Sequence, residues 1–214
     1  MQYKQFTLDK FQEDAIASIE KNNSVVVSAA TGTGKTLIAD YIIDKAIKEG
    51  KKVFYTAPIK ALSNQKFKDF TTEYGKEKVG LLTGDLSINP EADIVVMTTE
   101  IYRNMLLVED PIVNAISYIV FDEIHFINDI ERGTVWEESI IFSPEHIRFL
   151  CLSATIPNAK EFSDWIMSIK DHQVDVIEYA KRAVPLKHYV YDSKLGLVTS
   201  DKLKKDKELD EYPD

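Results

Sequence analysis

Two acids and a histidine close an apolar strand. In "YIVFDEIH", residues 118 to 125, Tyr118, Ile119, Val120 and Phe121 have the composition of a buried strand, and Asp122, Glu123 and His125 follow at once. Upstream, "SVVVSAATGTGKTLIAD" passes from another apolar strand through a loop of small residues into a helix that opens at Gly34-Lys35-Thr36. That order suits phosphate groups. Amides of Ala30, Thr31, Gly32, Thr33 and Gly34 can surround them, Lys35 can reach the β- and γ-phosphates, and the Thr36 hydroxyl can bind Mg²⁺. The first position of this P-loop pattern is Ala29 rather than Gly, a residue still small enough for close backbone approach.

The two segments make sense together. A P-loop hydrolase needs a second strand, adjacent in space, whose C-terminal end brings an acid to the metal shell and a group that orients or deprotonates water. Strands of an open α/β sheet end on one crevice, so "YIVFDE" should deliver Asp122 as the metal-shell acid and Glu123 as the base. His125, two residues on, is expected to couple this site to other parts of the protein. In "LCLSATIP", Ser153 and Thr155 end a further apolar strand. Their hydroxyls could bridge the phosphate site to a moving element, or simply satisfy a turn.

The elements that hold these residues read as an α/β fold. Strand candidates Ser24–Ser28, Val53–Ala57, Val79–Leu82, Ile94–Met97, Tyr118–Phe121 and Arg148–Leu152 alternate with helical stretches. Several strands are continuous apolar runs, which parallel strands covered on both faces require. "LIADYIIDKAIKEG" spaces Leu37, Ile38, Tyr41, Ile42 and Ile47 as a helix, with lysines late and Gly50 as the stop. "ALSNQKFKDF" and "EIYRNMLL" read as shorter helices. An opening helix starts at Asp9 as N-cap and buries Phe11, Ala15 and Ile19. The expected fold class is α/β, a doubly wound, mainly parallel sheet flanked by helices. Trp136, Trp165, Phe149, Phe162 and Ile166 are expected in the core, with Cys151 as an inert buried thiol.

Bulk composition narrows the class. The chain has 214 residues, 44% of them apolar, and a formal charge of −9. That supports one α/β domain with an appendage. It disfavours a free-standing nonspecific nucleic-acid binder, but not one that grips phosphates through backbone amides. No run of about 20 apolar residues is present to span a membrane, and the N-terminus lacks a signal-peptide pattern. With a single cysteine, a reducing, cytoplasmic setting is expected. His146, His172 and His188 show no metal-ligand spacing.

The end of the chain changes character. "VDVIEY" and "PLKHYVYDSKLGLVTS" read as strands, the second a hairpin turning near Ser193–Gly196. Between Asp201 and Asp214, four lysines and six acids crowd fourteen positions. The expected division is a domain over 1–170 and a connector with a β extension over 171–214.

Four elements in fixed order, "ATGTGKT", "TAPIKALSNQ", "DEIH" and "SAT", resemble the first RecA-like domain of superfamily two DExH-box helicases. The longer stretches "YTAPIKALSNQKFKDF", "LLTGDLSINPEADIVVMTTEIYRNML", "FDEIHFINDIERGTVWEE" and "RAVPLKHYVY" are similar to the superkiller-like branch, RNA helicases that serve the exosome. The resemblance covers residues 1 to about 192. It implies ATP and Mg²⁺ as cofactors, Gln12 reading the adenine edge and Phe6 packing on the base. It also implies nucleic-acid contacts at Pro58, Ile59, Lys60 and Gln65, at Thr83, Gly84 and Asp85, and at Thr98, Thr99 and Glu100. Ser153 and Thr155 then link ATP state to strand separation. The implied partners are single-stranded RNA (or DNA), exosome-type proteins and a second RecA-like domain.

One departure bears on activity. Such helicases carry an arginine finger on the second domain, and Arg103, Arg132, Arg148 and Arg182 match no finger motif. The chain is therefore expected to bind Mg-ATP and hydrolyse it feebly. Two alternatives stay open: a helicase of the related DNA-repair branch, and a nucleotide- or RNA-binding module without turnover. A small-molecule P-loop kinase is disfavoured, because "DEIH" and "SAT" sit where a helicase needs them.

Overall fold

The apolar runs become the strands of a single large sheet. The computed structural model describes residues 1–182, 187, 189–192 and 196–199. A short antiparallel pair, β1 (Gln2–Tyr3) and β2 (Phe6–Thr7), precedes helix α1 (Lys10–Glu20). Then come β3 (Ser24–Ala29), α2 (Thr36–Lys48), β4 (Lys52–Ala57), α3 (Lys60–Tyr74), β5 (Val79–Thr83), β6 (Leu86–Ile88), β7 (Ile94–Thr98) and α4 (Thr99–Leu107). The series closes with β8 (Ile116–Phe121), α5 (Gly133–Phe142), β9 (Arg148–Ser153), α6 (Ala159–Ile169) and β10 (Val174–Tyr179).

The strand order is β10-β3-β9-β8-β4-β7-β5-β6, parallel throughout except for β6 against β5. Alternation along each strand feeds two cores. Val25, Val27, Tyr55 and Val120 join Phe11, Ile38, Ile42 and Phe70 on the face covered by α1, α2 and α3. Val26, Phe54, Ile119 and Phe121 join Tyr102, Trp136, Ile140 and Ile166 on the face covered by α4, α5 and α6. Both faces are dry, which accounts for the unbroken apolar runs.

Two expectations change here. The compact unit runs to Lys181 rather than 170. The physical reason is β10, which pairs along its length with β3, Val174 opposite Ser24 through Tyr179 opposite Ala29, and so belongs to the main sheet. Further, β8 is not the neighbour of β3. Strand β9 lies between them, with Ser28 opposite Ser153 and Phe121 opposite Cys151.

Other expectations extend. Helix α3 continues to Tyr74 and ends at Gly75, whose φ of 91° stops it. Trp136, Phe149 and Ile166 are fully buried, whereas Phe162 and Trp165 are half-buried and stack on each other at 5.8 Å beside the Ile127–Asn128 turn. Burial pushes the Cys151 thiol far up, so it is inert. The described residues from 182 onward belong to a separate unit, in which β11 (Tyr189–Asp192) pairs antiparallel with β12 (Gly196–Thr199). The expected hairpin is thus present, while its turn at 193–195, His188 and the charged segment from 201 lie outside the described residues.

Candidate functional site

The C-terminal ends of β3, β9 and β8 and one side of α3 converge on one cavity of about 530 Å³, lined by Thr31, Gly32, Gly34, Lys35, Thr36, Leu62, Gln65, Lys66, Asp122, Glu123 and Leu152. The loop from β3 makes its turn with Gly32 at φ 81° and Gly34 at φ 83°, conformations that side chains resist. A Cβ on Gly34 would also meet Gln12 Nε2 at 2.9 Å. Lys35 Nζ donates to the carbonyls of Ala29 and Ala30 at 2.6 and 3.2 Å. Burial lowers the Lys35 ammonium, and the nearby charges of Glu123 and Asp122 work against that lowering.

The acids are held in place. Asp122 Oδ2 accepts from the buried Tyr55 hydroxyl at 2.5 Å, and Oδ1 accepts from the Glu123 amide at 3.0 Å. Burial first, and then the Asp122 charge, drive the Tyr55 hydroxyl far above its usual range, so it stays a donor. Glu123 sits at φ 52°, a left-handed conformation that costs a β-carbon residue about 1 kcal/mol or more. His125 lies in the 3₁₀ turn Ile124–Asn128, its Nδ1 3.3 Å from Glu123 Oε2 but out of hydrogen-bond alignment. Helix α5 packs on that turn through Gly133, where any Cβ would collide with the Ile127 carbonyl.

Gln12 and Phe6 lie outside the cavity lining. Gln12 is buried and links two elements: its Oε1 accepts from the Asp9 amide and its Nε2 donates to the Gly34 carbonyl, each at 2.9 Å. Phe6 is 45% exposed on β2. Ser153 ends β9 fully buried, its Oγ without a partner, and Thr155 is exposed just beyond.

A second, more open groove runs along the same sheet edge. It is lined by Pro58, Ile59, Lys60, Gly84, Thr98, Glu100, Ile101 and Arg132. Lys60 Nζ pairs with Asp85 Oδ2 at 2.5 Å, and Thr98 caps α4. Thr83 ends β5, and Thr99 opens α4 fully buried with its hydroxyl unpartnered. Of the residues expected to act with this groove, Thr83, Asp85 and Thr99 are not in its lining, and Gln65 faces the first cavity instead. Arg132 is one residue that sequence reasoning did not place here. Its guanidinium donates to Glu100 and, at 2.6 Å, to the Pro58 carbonyl, and it lies over the Trp136 ring. The signal was present in "ERGTVWEE": an arginine fixed by a glycine turn just beyond "DEIH". Lys66 and Tyr55 were missed as well.

The two sites share the strand ends of one sheet, and known proteins with this sequence pattern identify the family. The profile of the family described as DEAD/DEAH box helicase matches residues 9–162. The chain belongs to that family. It is 48% identical over 202 residues to the DExH-box ATP-dependent RNA helicase DExH9 of Arabidopsis thaliana, covering 93% of this chain and 20% of that protein. It is 50% identical over 186 residues to Superkiller complex protein 2 of Homo sapiens, covering 87% of this chain and 15% of that one. With the ATP-dependent RNA helicase mtr4 of Schizosaccharomyces pombe it shares 48% over 188 residues, 88% of this chain and 17% of the other. The chain therefore spans a fifth or less of the curated relatives it matches. Among solved structures, the Pyrococcus furiosus Hef helicase domain superposes with a TM-score of 0.62 at 24% identity, over 85% of this chain and 42% of that one. The DUF1998 helicase MrfA bound to DNA gives 0.66 at 23%, over 80% and 27%. At such identities the likeness concerns the fold, which is that of RecA-like helicase domains.

Proposed function

We propose that this chain is the first RecA-like domain of an ATP-dependent RNA helicase, binding Mg-ATP in the first cavity and single-stranded RNA along the groove. The observation that carries this reading is the meeting of Lys35, Thr36, Asp122 and Glu123 around one cavity, with a second groove beside it on the same strand ends.

The residues fit the ligands. Gly32 and Gly34 leave room for loop amides to approach phosphate oxygens, and Lys35 exchanges its loop carbonyls for those oxygens. Thr36 and Asp122 offer a hydroxyl and a carboxylate, hard oxygen donors of the kind Mg²⁺ takes alongside substrate phosphates and water. When bound there, the metal neutralises charge on the phosphate oxygens. Glu123, in the cavity lining beside Asp122, orients the attacking water and accepts its proton. Gln12 and Phe6 serve the base, Gln12 from its seat against Gly34. His125 touches Glu123, and Ser153 sits on the strand between the P-loop and "DEIH", so both can relay the state of the site.

In and beside the groove, Pro58, Ile59, Lys60, Thr83, Gly84, Asp85, Thr98 and Glu100 offer loop backbone, hydroxyls and a helix N-terminus, groups that hold a nucleic-acid backbone without reading sequence, and the buried Thr99 supports them from the first turn of α4. The relatives' names favour RNA over DNA. In the whole protein, a second RecA-like domain would supply the arginine finger, and hydrolysis would drive translocation and unwinding with RNA-processing partners of the exosome type. A cytoplasmic setting goes with the inert Cys151. No described helix is long and apolar enough to cross a membrane. Among the described residues no arginine lines the first cavity, which favours binding with feeble turnover for this chain alone.

The test is ATP turnover with Mg²⁺, with and without single-stranded RNA, beside Glu123→Gln. ATP binding with little turnover supports the reading. Vigorous RNA-stimulated turnover lost in Glu123→Gln would mean that the chain supplies its own finger, and would overturn the two-domain account.

A further inference from the structure

Lys66 stands in the first cavity without an assigned task. It lies nearly two turns into α3, and its stem lines the cavity with Lys35, Thr36, Asp122 and Glu123. Its Nζ donates to Thr36 Oγ1 at 3.3 Å. The same ammonium sits 5.7 Å from the centre of the Tyr55 ring, and Tyr55 is the residue whose hydroxyl holds Asp122. It is also close enough to Asp40 to oppose the burial that raises that carboxyl to about 6. Lys66 is thus bonded to the one hydroxyl of the oxygen donor set and lies near the ring whose own hydroxyl holds its one carboxylate.

We propose that Lys66 is a positioning residue that competes with the divalent cation for Thr36: its ammonium holds the hydroxyl, and a metal ion that takes the hydroxyl must displace it. The proposal rests on the nucleotide reading above. A metal bound to Thr36 Oγ1 at about 2.1 Å and an ammonium 3.3 Å from the same atom would stand at most about 5.4 Å apart, well inside the screening length of physiological salt. Both cannot keep the position at low cost. Release of Lys66 also removes a tie between α3 and α2. Because α3 begins at Lys60, the helix that lets go in one cavity borders the neighbouring groove at its first turn.

The experiment is a calorimetric titration of ADP into the chain at a series of Mg²⁺ concentrations and in EDTA, for wild type, Lys66→Met, Lys66→Arg and Lys68→Met. Lys68 is exposed on the same helix and controls for loss of a surface charge. Lys66→Met should lower the half-saturating Mg²⁺ about tenfold, the scale of one hydrogen bond to a charged group. Its affinity for ADP in EDTA should stay within about twofold of wild type, because the competition needs the metal. Lys66→Arg, which keeps the cation, should retain most of the Mg²⁺ requirement, and Lys68→Met should match wild type. Lys66→Gln replaces the Met variant if circular dichroism shows the latter misfolded. An unchanged or raised Mg²⁺ midpoint in Lys66→Met, or in the Gln variant that replaces it, overturns the proposal. So does a tenfold loss of ADP affinity in EDTA, which would make Lys66 a phosphate ligand. Failure of wild type to bind ADP at any Mg²⁺ concentration would instead remove the nucleotide reading, and the proposal with it.

Discussion

Tyr55, in the middle of one core, donates its hydroxyl to Asp122 at the end of a strand one position away in the sheet. The bond joins packing to chemistry: a ring fixed among Phe70 and its neighbours sets the orientation of a carboxylate in the cavity. Removing the hydroxyl leaves that oxygen of Asp122 without its donor. Tyr55→Phe should therefore destabilise the chain by about 1.5–3 kcal/mol, the range for a hydrogen bond to a charged group. Urea denaturation at pH 7 measures it. A loss below ~0.5 kcal/mol would show that the carboxylate finds water instead.

Asp40 gives a pH dependence of definite sign. It is buried on α2 with Oδ1 unpartnered, and burial, then Glu73, raise its carboxyl to about 6 from an ordinary 3.8. A raised carboxyl pKa means the folded chain holds a proton that the unfolded chain would release. Its contribution to stability is complete below about 3.8 and fades as pH rises through 6. Asp40→Asn should accordingly stabilise the protein at pH 8 by on the order of 1–3 kcal/mol, with the gain shrinking below pH 6. Thermal melts of both chains between pH 4 and 8 check the sign.

In the groove, Lys60 is paired with Asp85, and both side chains are more than half exposed. If RNA lies there, Lys60→Ala should weaken binding and reduce the salt slope by about 0.7, one phosphate contact on a single strand. Asp85→Asn should do the reverse and tighten binding about two- to fivefold, because an exposed pair is worth ~1 kcal/mol at most. Fluorescence anisotropy with a labelled single-stranded RNA at several salt concentrations separates the two.

Gly133 carries a backbone prediction. A methyl group there meets the Ile127 carbonyl, so Gly133→Ala must push α5 away from the turn that bears His125. The expected cost is about 1–3 kcal/mol of stability, read from chemical denaturation. A neutral result would mean that the turn yields freely.

Much of this was legible from residues alone, and the exceptions have reasons. The P-loop and the acids of "DEIH" are legible in combination: two acids at a strand end would alone read as solvent-facing caps, and Lys35-Thr36 after a small-residue loop gives them a partner. The parallel sheet was legible because strands covered on both faces leave no alternation. Strand order was not: nothing local says that β9 inserts between β3 and β8, which is a matter of long-range pairing. Strand β10 was legible as a strand but not as part of the main sheet, because at the sheet edge four of its six residues are only half-buried. Helix α5 has apolar residues on several sides, Val135, Trp136, Ile140, Ile141 and Phe142, and so shows no clear stripe. Lys66 and Arg132 read as solvated charges until the fold brings Thr36 and Pro58 to them. Tyr55 carried a faint signal, since a tyrosine in a buried strand needs a partner for its hydroxyl.

The account stands or falls on whether the first cavity binds Mg-ATP through Lys35. Equilibrium binding of ATP with Mg²⁺ to the wild-type chain, Lys35→Ala and Glu123→Gln tests this directly. The prediction is saturable binding by wild type, retained within a few-fold in Glu123→Gln and weakened by two orders of magnitude or more (roughly 3 kcal/mol) in Lys35→Ala. Equal binding by Lys35→Ala, or none by wild type, would contradict it.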